Sequence, residues 1–430
     1  MGKSRLDDSP FHRIFKVYSK YFYLCKIFYN HKIFEGLDLP EVKTLILGAG
    51  YVTTFFTVGL ERLKRGKIEP YGVPLASFDI GVDIDDIKVV ACVDVDARKV
   101  GKTMYDIARE FYKLRNVPRT LKDVVVYPGI EMGFVKGLFP VNSLDYGRSF
   151  QRSVEEMYEF IGKAEPDVIV DATTTQYAEP FNEYRLLEKA VMERRLTPTQ
   201  FYAYLALKLM EEGKQISYVN LIPTPIANDY AYISAAGKFG GLVLGDDGAT
   251  GATPLTADIL EHLRERNRRV LGLAQLNIGG NSDFKSLLDE KRNRAKEYTK
   301  SSIVEDILGY YTPSYIKPTG FLSSLGDKKF VSMHIEYTSF NGVKDEIIVN
   351  MRINDSPALA GYIVDLVRLA KLALNAGICG TIYDINAFYM KKPGPPNSKN
   401  IARILAFERL ISFVKTIADR RQLNVQQSMF

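Results

Sequence analysis

Residues 43–50 read KTLILGAG, an apolar run that ends in two glycines one residue apart. The run suits a strand buried on both faces. Gly48 and Gly50 then let the backbone turn tightly and approach a pyrophosphate at the N-terminus of the following helix. The third glycine of the usual G-x-G-x-x-G pattern is absent, and Thr53 stands in its place. An acidic residue expected about 20 residues further on is delayed. Asp94 and Asp96 supply it at the end of the next strand candidate. The stretch 62–87 is basic, then Pro- and Gly-bearing, then acidic, and reads as an insertion. Taken alone, the glycines fit any α/β domain with a tight turn. With the strands around them they predict a dinucleotide, and acidic residues at the ribose position favour NAD over NADP.

Moving outward, short apolar runs alternate with helical patterns, as in a parallel α/β sheet. The strand candidates are 43–47, 88–93, 167–171, 216–222 and 241–244, with helices over 98–113, 151–163 and 201–213 among those between them. The period then changes. Val331, Met333, Ile335 and Tyr337 alternate with polar residues, and Ile347, Val349, Met351 and Ile353 repeat this after the turn signal Asn341-Gly342. This predicts an antiparallel sheet whose apolar face needs covering by helices or another subunit. Asp355-Ser356-Pro357 opens a strong helix, with a capping side chain expected, that stops at Gly377.

The fold class is therefore α/β: a Rossmann-like doubly wound parallel sheet with an inserted α+β catalytic and oligomerisation domain. The expected boundaries are an aromatic and basic extension over 1–40, the Rossmann-like domain over 41–245, the inserted domain over 246–354 and a C-terminal return over 355–430.

The 430 residues are 46% hydrophobic and 25% charged, enough for a large core. A net charge of +6 suits an anionic ligand but is too small and scattered for nucleic acid. Cys25, Cys92 and Cys379 lie far apart, as do the four histidines, so neither a disulfide framework nor a zinc spacing can be read. A reducing, cytoplasmic setting follows. The longest uncharged run, Thr44 to Leu60, is shorter than the ~20 apolar residues of a spanning helix. Phe11, Phe15, Tyr18, Phe22, Cys25 and Tyr29 recur at helical spacing in a segment without acidic residues. A helix packed on the main domain or a neighbouring subunit accounts for this stripe. Contact with a membrane surface is the less favoured alternative.

Four further motifs carry chemistry. Gly245-Asp246-Asp247-Gly248-Ala249-Thr250-Gly251-Ala252-Thr253-Pro254 precedes a helical run and offers an anion-binding nest of N–H groups and hydroxyls. Gln275 to Phe284, QLNIGGNSDF, reads as a strand, a glycine turn and a helix cap. Lys296 and Lys300 in KEYTKSS lie on one helix face, a spacing that by itself more often marks a solvated surface. Phe388-Tyr389-Met390-Lys391-Lys392-Pro393 follows the NDSP helix. In this order, over about Val42 to Ile411, the motifs resemble the myo-inositol phosphate synthase family, closest to its shorter prokaryotic branch.

That resemblance implies a redox-neutral cyclisation of glucose 6-phosphate to 1L-myo-inositol 1-phosphate with tightly held NAD. C5 is oxidised, an enolate forms at C6 and closes on C1, and the C5 ketone is reduced again. It implies active-site roles for Lys296, Lys300, Lys329, Lys391 and Asp355, with Lys296 in proton transfer at C5 and Lys300 at the phosphate or an oxyanion. In Gly326-Asp327-Lys328-Lys329-Phe330, Lys329 is favoured over Lys328. Cofactor contacts fall on Gly48, Gly50, Tyr51, Val52, Asp94, Asp96, Thr174, Asp247 and Ser356. Substrate contacts fall on Thr250, Gly251, Ala252, Thr253, Asn277, Asn281 and Asp283. A homotetramer built through the inserted sheet is also implied. A mono- or divalent cation stays open: Asp247, Asp283 and Asp355 are acidic candidates, with no ligand spacing among them. Thr53 and the region 128–150 depart from the family pattern. Cyclisation of another sugar phosphate, net dehydrogenation and a non-catalytic NAD-binding regulator are the competing readings.

Overall fold

The computed structural model describes residues 41–135, 137–281, 284–285, 287–288, 293 and 302–428. The 11–34 stripe, Asp283, Lys296 and Lys300 lie outside these residues. The described residues form a six-stranded sheet in the order β3-β2-β1-β4-β5-β6. Its strands are β1 Val42–Leu47, β2 Ile87–Asp94, β3 Val126–Pro128, β4 Val168–Asp171, β5 Ser217–Asn220 and β6 Leu242–Leu244. All neighbours pair in parallel. Every residue of β4, β5 and β6 is buried, as near-continuous apolar runs require when helices cover both faces. The chain order reverses between β1 and β4, which opens a crevice at their C-terminal ends.

Two expected helices are present, as Phe150–Ala164 and Pro198–Glu211. The second begins earlier than its apolar pattern because Thr197 and Gln200 form a reciprocal capping box around Pro198. The expected helix over 98–113 is formed only in part. Gly101 and Lys113 take positive φ of 82° and 57° and bound it, and between them Met104–Asp106 is α-helical and widens into a π-helix over Ile107–Phe111. Met104, Ile107 and Ala108 still bury themselves against Cys92 and Val126, which is why the stretch reads as amphipathic.

The second sheet has the order β10-β9-β7-β8, from β7 Arg269–Gly279, β8 Ser314–Phe321, β9 Lys328–Thr338 and β10 Lys344–Asn354. The β9–β10 hairpin is antiparallel and turns through Asn341 and Gly342 at φ 60° and 75°, but β7 and β8 pair in parallel. Met333, Ile335 and Tyr337 pack against Leu260 and Leu263 of the Thr253–Glu265 helix and against Ile303, Val304 and Ile307. Helices of the same chain thus cover the β9 part of the apolar face, while Ile347 and Val349 of β10 pack against the same cluster and stay partly exposed.

The return helix, Asp355–Asn375, packs on the first helix, Tyr51–Lys64, and contributes much of the largest core. Its predicted self-cap is absent: Asn354 is the N-cap and makes no side-chain bond. The helix also explains the insertion. Arg368 donates to the carbonyls of Leu75 (3.2 Å), Phe78 (3.2 Å) and Val82 (2.7 Å). Asp365 accepts from the N–H of Leu75 (2.8 Å), Arg368 (3.2 Å) and the Tyr389 hydroxyl (2.9 Å). The buried ion pair therefore satisfies the backbone of a segment that has no ladder of its own. Removing one partner leaves an uncompensated buried charge and typically costs roughly 3–5 kcal/mol. Arg368→Met is expected to lose stability of that order in chemical denaturation and to expose 65–86 to limited proteolysis. Wild-type denaturation and cleavage would show that the staple is dispensable.

Candidate active site

A cavity of about 430 Å³ runs from the glycine turn to the C-terminal lysine motif. At its first end, Gly48 has φ +93°, and a Cβ there would lie 2.7 Å from the Ala172 carbonyl oxygen, so only glycine fits. Gly50 is the N-cap of the first helix, and no side chain caps that end. Thr53, in the place of the third glycine, is buried and donates its hydroxyl to the Gly48 carbonyl. It ties the turn to the helix by a hydrogen bond where the usual pattern relies on close packing. Asp94, at the end of β2, accepts from the N–H groups of Ala49 (2.7 Å), Val95 (2.6 Å) and Asp96 (2.8 Å). Asp96 is clasped by Arg98 through two bonds of 2.8 and 2.7 Å. Burial works to raise the Asp96 carboxyl, but Arg98 and Lys99 outweigh it and hold it below its ordinary value.

Gly48, Gly50, Tyr51, Val52, Asp94, Asp96 and Thr174 all line this end. A glycine cradle, an open helix N-terminus and a ribose-height carboxylate are the groups that a dinucleotide requires. The sequence reading missed several neighbours. Lys99 lies 3.8 Å from Asp94 and stacks over Phe111 at 5.0 Å. Tyr112 meets Tyr51 edge to face at 4.4 Å. Glu131 and Phe139, from the region without a family match, also reach the wall. An amphipathic pattern over 98–113 gave no hint of the first three, because it was explained by a helix.

The other end is assembled from distant segments. In the loop after β6, Asp246 turns inward and accepts from Asn220 Nδ2 (2.8 Å), the N–H groups of Ile226 (3.1 Å), Ala227 (3.1 Å) and Asn228 (3.0 Å), and Asn228 Nδ2 (3.0 Å). Burial pushes its carboxyl up to about 6, and these donors hold it back. With Asp246 anchored, Asp247 faces the cavity, where Lys391 Nζ donates to it at 2.9 Å. Lys391 arrives there because 389–392 runs beside 246–249, with Ala249 N–H on the Tyr389 carbonyl (2.7 Å) and Lys391 N–H on the Asp247 carbonyl (2.6 Å). Arg403, buried, donates to the Ala387 and Met390 carbonyls and fixes that strand from behind.

Alternation along β9 buries Lys329 and exposes Lys328, so Lys329 is the lysine on the wall. It forms an ion pair with Asp355 at the start of the return helix. Gly251, φ +76°, keeps that pair open: a Cβ would stand 3.2 Å from Asp355 Oδ1 and 3.6 Å from Lys329 Nζ. Thr250, Asn281 and Ser356 line the cavity. Ala252 and Thr253 open the Thr253–Glu265 helix, and Asn277 is buried in β7 with its amide on the Lys317 carbonyl (3.0 Å); none of the three forms part of the wall. Asp327 was not singled out, yet it lines the cavity and bonds Ser356. Lys296, Lys300 and Asp283 fall outside the described residues. Among the described residues no group of three His, Cys, Asp or Glu side chains is placed to hold a metal ion, so the open cation finds no support there. No described helix is long and apolar enough to cross a membrane.

A family model for myo-inositol-1-phosphate synthase matches residues 251–356. The chain is 29% identical over 394 residues to the inositol-3-phosphate synthase of Corynebacterium glutamicum, covering 88% of this chain and 99% of that one. It is 26% identical over 389 residues to that of Mycobacterium tuberculosis, with the same coverage. The crystal structure of a myo-inositol-1-phosphate synthase-related protein from Thermotoga maritima is 48% identical and superposes with a TM-score of 0.83, over 87% of this chain and 98% of that chain. The inositol-3-phosphate synthase of Caenorhabditis elegans, 16% identical with a TM-score of 0.73, shares the fold. With its cavity joining a glycine turn to paired lysines and aspartates, the chain belongs to the myo-inositol-1-phosphate synthase family.

Proposed function

We propose that the protein cyclises glucose 6-phosphate to 1L-myo-inositol 1-phosphate, using NAD that is reduced and reoxidised within each turnover. The observation that carries this reading is the shared cavity: two Lys–Asp pairs, the buried Lys391–Asp247 and the part-buried Lys329–Asp355, line the same space as the Gly48 turn. Bound NAD supplies a hydride acceptor for the oxidation at C5 and returns the hydride at the end. Gly48, Gly50 and the open N-terminus of the Tyr51–Lys64 helix hold its pyrophosphate, and Asp94 takes the ribose hydroxyls.

The chain's own residues supply the electrostatics. Negative charge develops on the C5 oxygen during enolisation and on the C1 oxygen during ring closure. Ammonium groups held in a water-poor wall stabilise such charges without reorganising. Asp247 and Asp355 keep Lys391 and Lys329 aimed at the cavity. Thr250 and Gly251, at the start of the Thr253–Glu265 helix, suit the substrate phosphate. Lys296 and Lys300 keep the proton-transfer and phosphate roles that the family pattern gives them.

Incubation with glucose 6-phosphate and catalytic NAD is expected to give inositol phosphate without accumulation of NADH. Steady NADH release would make the protein a dehydrogenase, and no turnover of any hexose phosphate would sink the reading. Lys329→Met is expected to lower kcat about 10²–10³-fold, the usual cost of one oxyanion-stabilising group. Lys328→Met should leave it within twofold or so, as an exposed lysine away from the wall. Equal effects in steady-state kinetics would contradict the assignment.

Assembly as a homotetramer through the four-stranded sheet belongs to the same proposal. The face opposite the Thr253–Glu265 helix, bearing the exposed Leu276 and Ile348, is the surface it would use. Light scattering on the purified protein should return the mass of four chains, and a monomer at micromolar concentration would refute it.

A further inference from the structure

The surplus positive charge of the chain is gathered on one flank. Residues 98–123 hold eight basic residues against three acidic ones, and so carry five of the six net positive charges of the whole chain. Lys102, Arg109, Lys113, Arg115, Arg119 and Lys122 are all exposed there. Contacts make the flank one band that ends on the cavity. Arg98 and Lys99, on the wall, lie over the Phe111 ring at 5.1 and 5.0 Å. Further out, Arg109 and Lys122 lie over the Tyr105 ring at 5.4 and 5.1 Å. Beyond them Arg62 donates to the carbonyls of Arg115 and Asn116, and Arg65 to the Thr120 hydroxyl at 3.1 Å. These bonds join the band to the Tyr51–Lys64 helix and the turn before it.

Charge on the cavity wall itself is largely matched. Asp96 pairs with Arg98 and Asp94 with Lys99, and at the other end Lys391 and Lys329 pair with Asp247 and Asp355. Such pairs act at contact distance and present little net field to a solute outside. Among the described residues, by contrast, none of the six exposed bases of the flank stands in an ion pair. Charges of one sign beside a low-dielectric cleft focus their field at its mouth and raise association rates of opposite charge about 10–10³-fold. They act over roughly a Debye length, ~8 Å at physiological salt, without touching the bound ligand. The dinucleotide is the anion taken up at this end. The turn that receives its pyrophosphate donates the Ala49 N–H to Asp94, and Asp94 pairs with Lys99, where the band begins.

We propose that the flank over 98–122 is a steering surface for the anionic dinucleotide, one that sets how fast the cofactor loads and not how tightly it is held. The proposal rests on the NAD reading above and adds to it six residues that do not line the cavity.

Stopped-flow fluorescence of NADH binding to the full chain, freed of cofactor, tests it. NADH carries the pyrophosphate charge without the pyridinium cation of NAD. Between about 20 mM and about 300 mM salt its kon is expected to fall about tenfold, with koff changed less than about twofold. The triple variant Arg109→Glu, Arg119→Glu, Lys122→Glu should lower kon about tenfold at low salt and flatten the salt dependence, with koff and thermal midpoint near wild type. Lys163→Glu, Arg185→Glu, Lys189→Glu changes the net charge equally, on the helices Phe150–Ala164 and Tyr184–Met192 of the opposite sheet face, and should leave kon within about threefold. A salt-independent wild-type kon, equal losses in the two triple variants, or a loss expressed in koff would overturn the proposal. Should the flank variant not fold, glutamine at the same three positions decides it: kon should fall about threefold at unchanged koff, and an unchanged kon would overturn it. Wild-type protein that loads NADH in this salt-dependent way but makes no inositol phosphate would defeat the proposed function and leave this inference standing. Turnover with salt-independent loading would defeat the inference alone, and wild-type protein that does not bind NADH would defeat both.

Discussion

The ion pair between Lys391 and Asp247 is the contact on which the reaction end of the cavity depends. Both side chains are buried, at 6% and 1% exposure, and neither charge is tolerable there without the other. Their pairing needs two segments, the loop after β6 and residues 389–392, to lie side by side. The backbone bonds between those segments and the grip of Arg403 provide that. Asp246 provides the rest, because its carboxylate gathers the 220–228 turn under the loop and leaves Asp247 no direction but outward. Lys391 is thus placed on the wall with the help of Asp246 and Arg403, which do not line the cavity themselves.

The cofactor end is built on the opposite principle. Strand, turn and helix are contiguous in sequence from Val42 to Lys64, and the open helix end needs no distant partner. The return helix joins the two ends. It packs on the Tyr51–Lys64 helix along its length and starts at Asp355 and Ser356, on the reaction wall. A shift of this helix would therefore move the glycine turn's support and the Lys329 partner together. Its staple on 65–86 gives the insertion a structural purpose, since that segment buries Val73, Leu75 and Ile80 in the same core.

What the sequence made legible follows the same division. The parallel sheet was readable because buried strands write continuous apolar runs, and the β9–β10 hairpin because alternation and Asn-Gly are local signals. The choice of Lys329 over Lys328 came from the resemblance, and the structure buries Lys329 and exposes Lys328 on β9. The region 98–113 misled in its extent: Met104, Ile107 and Ala108 are buried on a real helical segment, but Gly101 and Lys113 confine it to 104–111. Alternation could say that one face of β9 is covered, but not that residues 303–307 of the same chain cover it. Asp327 was invisible for a deeper reason. Its partner Ser356 lies 29 positions away across a complete hairpin, and an aspartate before two lysines on a strand edge looks like a solvated turn.

The pairing of each lysine with an aspartate bears on how the site can exist before substrate arrives. A cavity wall carrying unpaired ammonium groups would be costly to bury and would invite water or stray anions. Lys329–Asp355 and Lys391–Asp247 are each neutral as pairs, so the wall can carry ammonium groups without an unbalanced charge. Charge that develops on a sugar oxygen meets an ammonium already oriented and already desolvated. Both carboxylates share the wall with their lysines, so each pair reaches the cavity as a fixed dipole rather than as a bare charge. Gly251 leaves room beside the Lys329 pair, since a Cβ there would stand against both of its members. Asp327 serves the return helix, which Asp355 opens, from outside, accepting from the Ser356 N–H at its start and from the Ser356 hydroxyl.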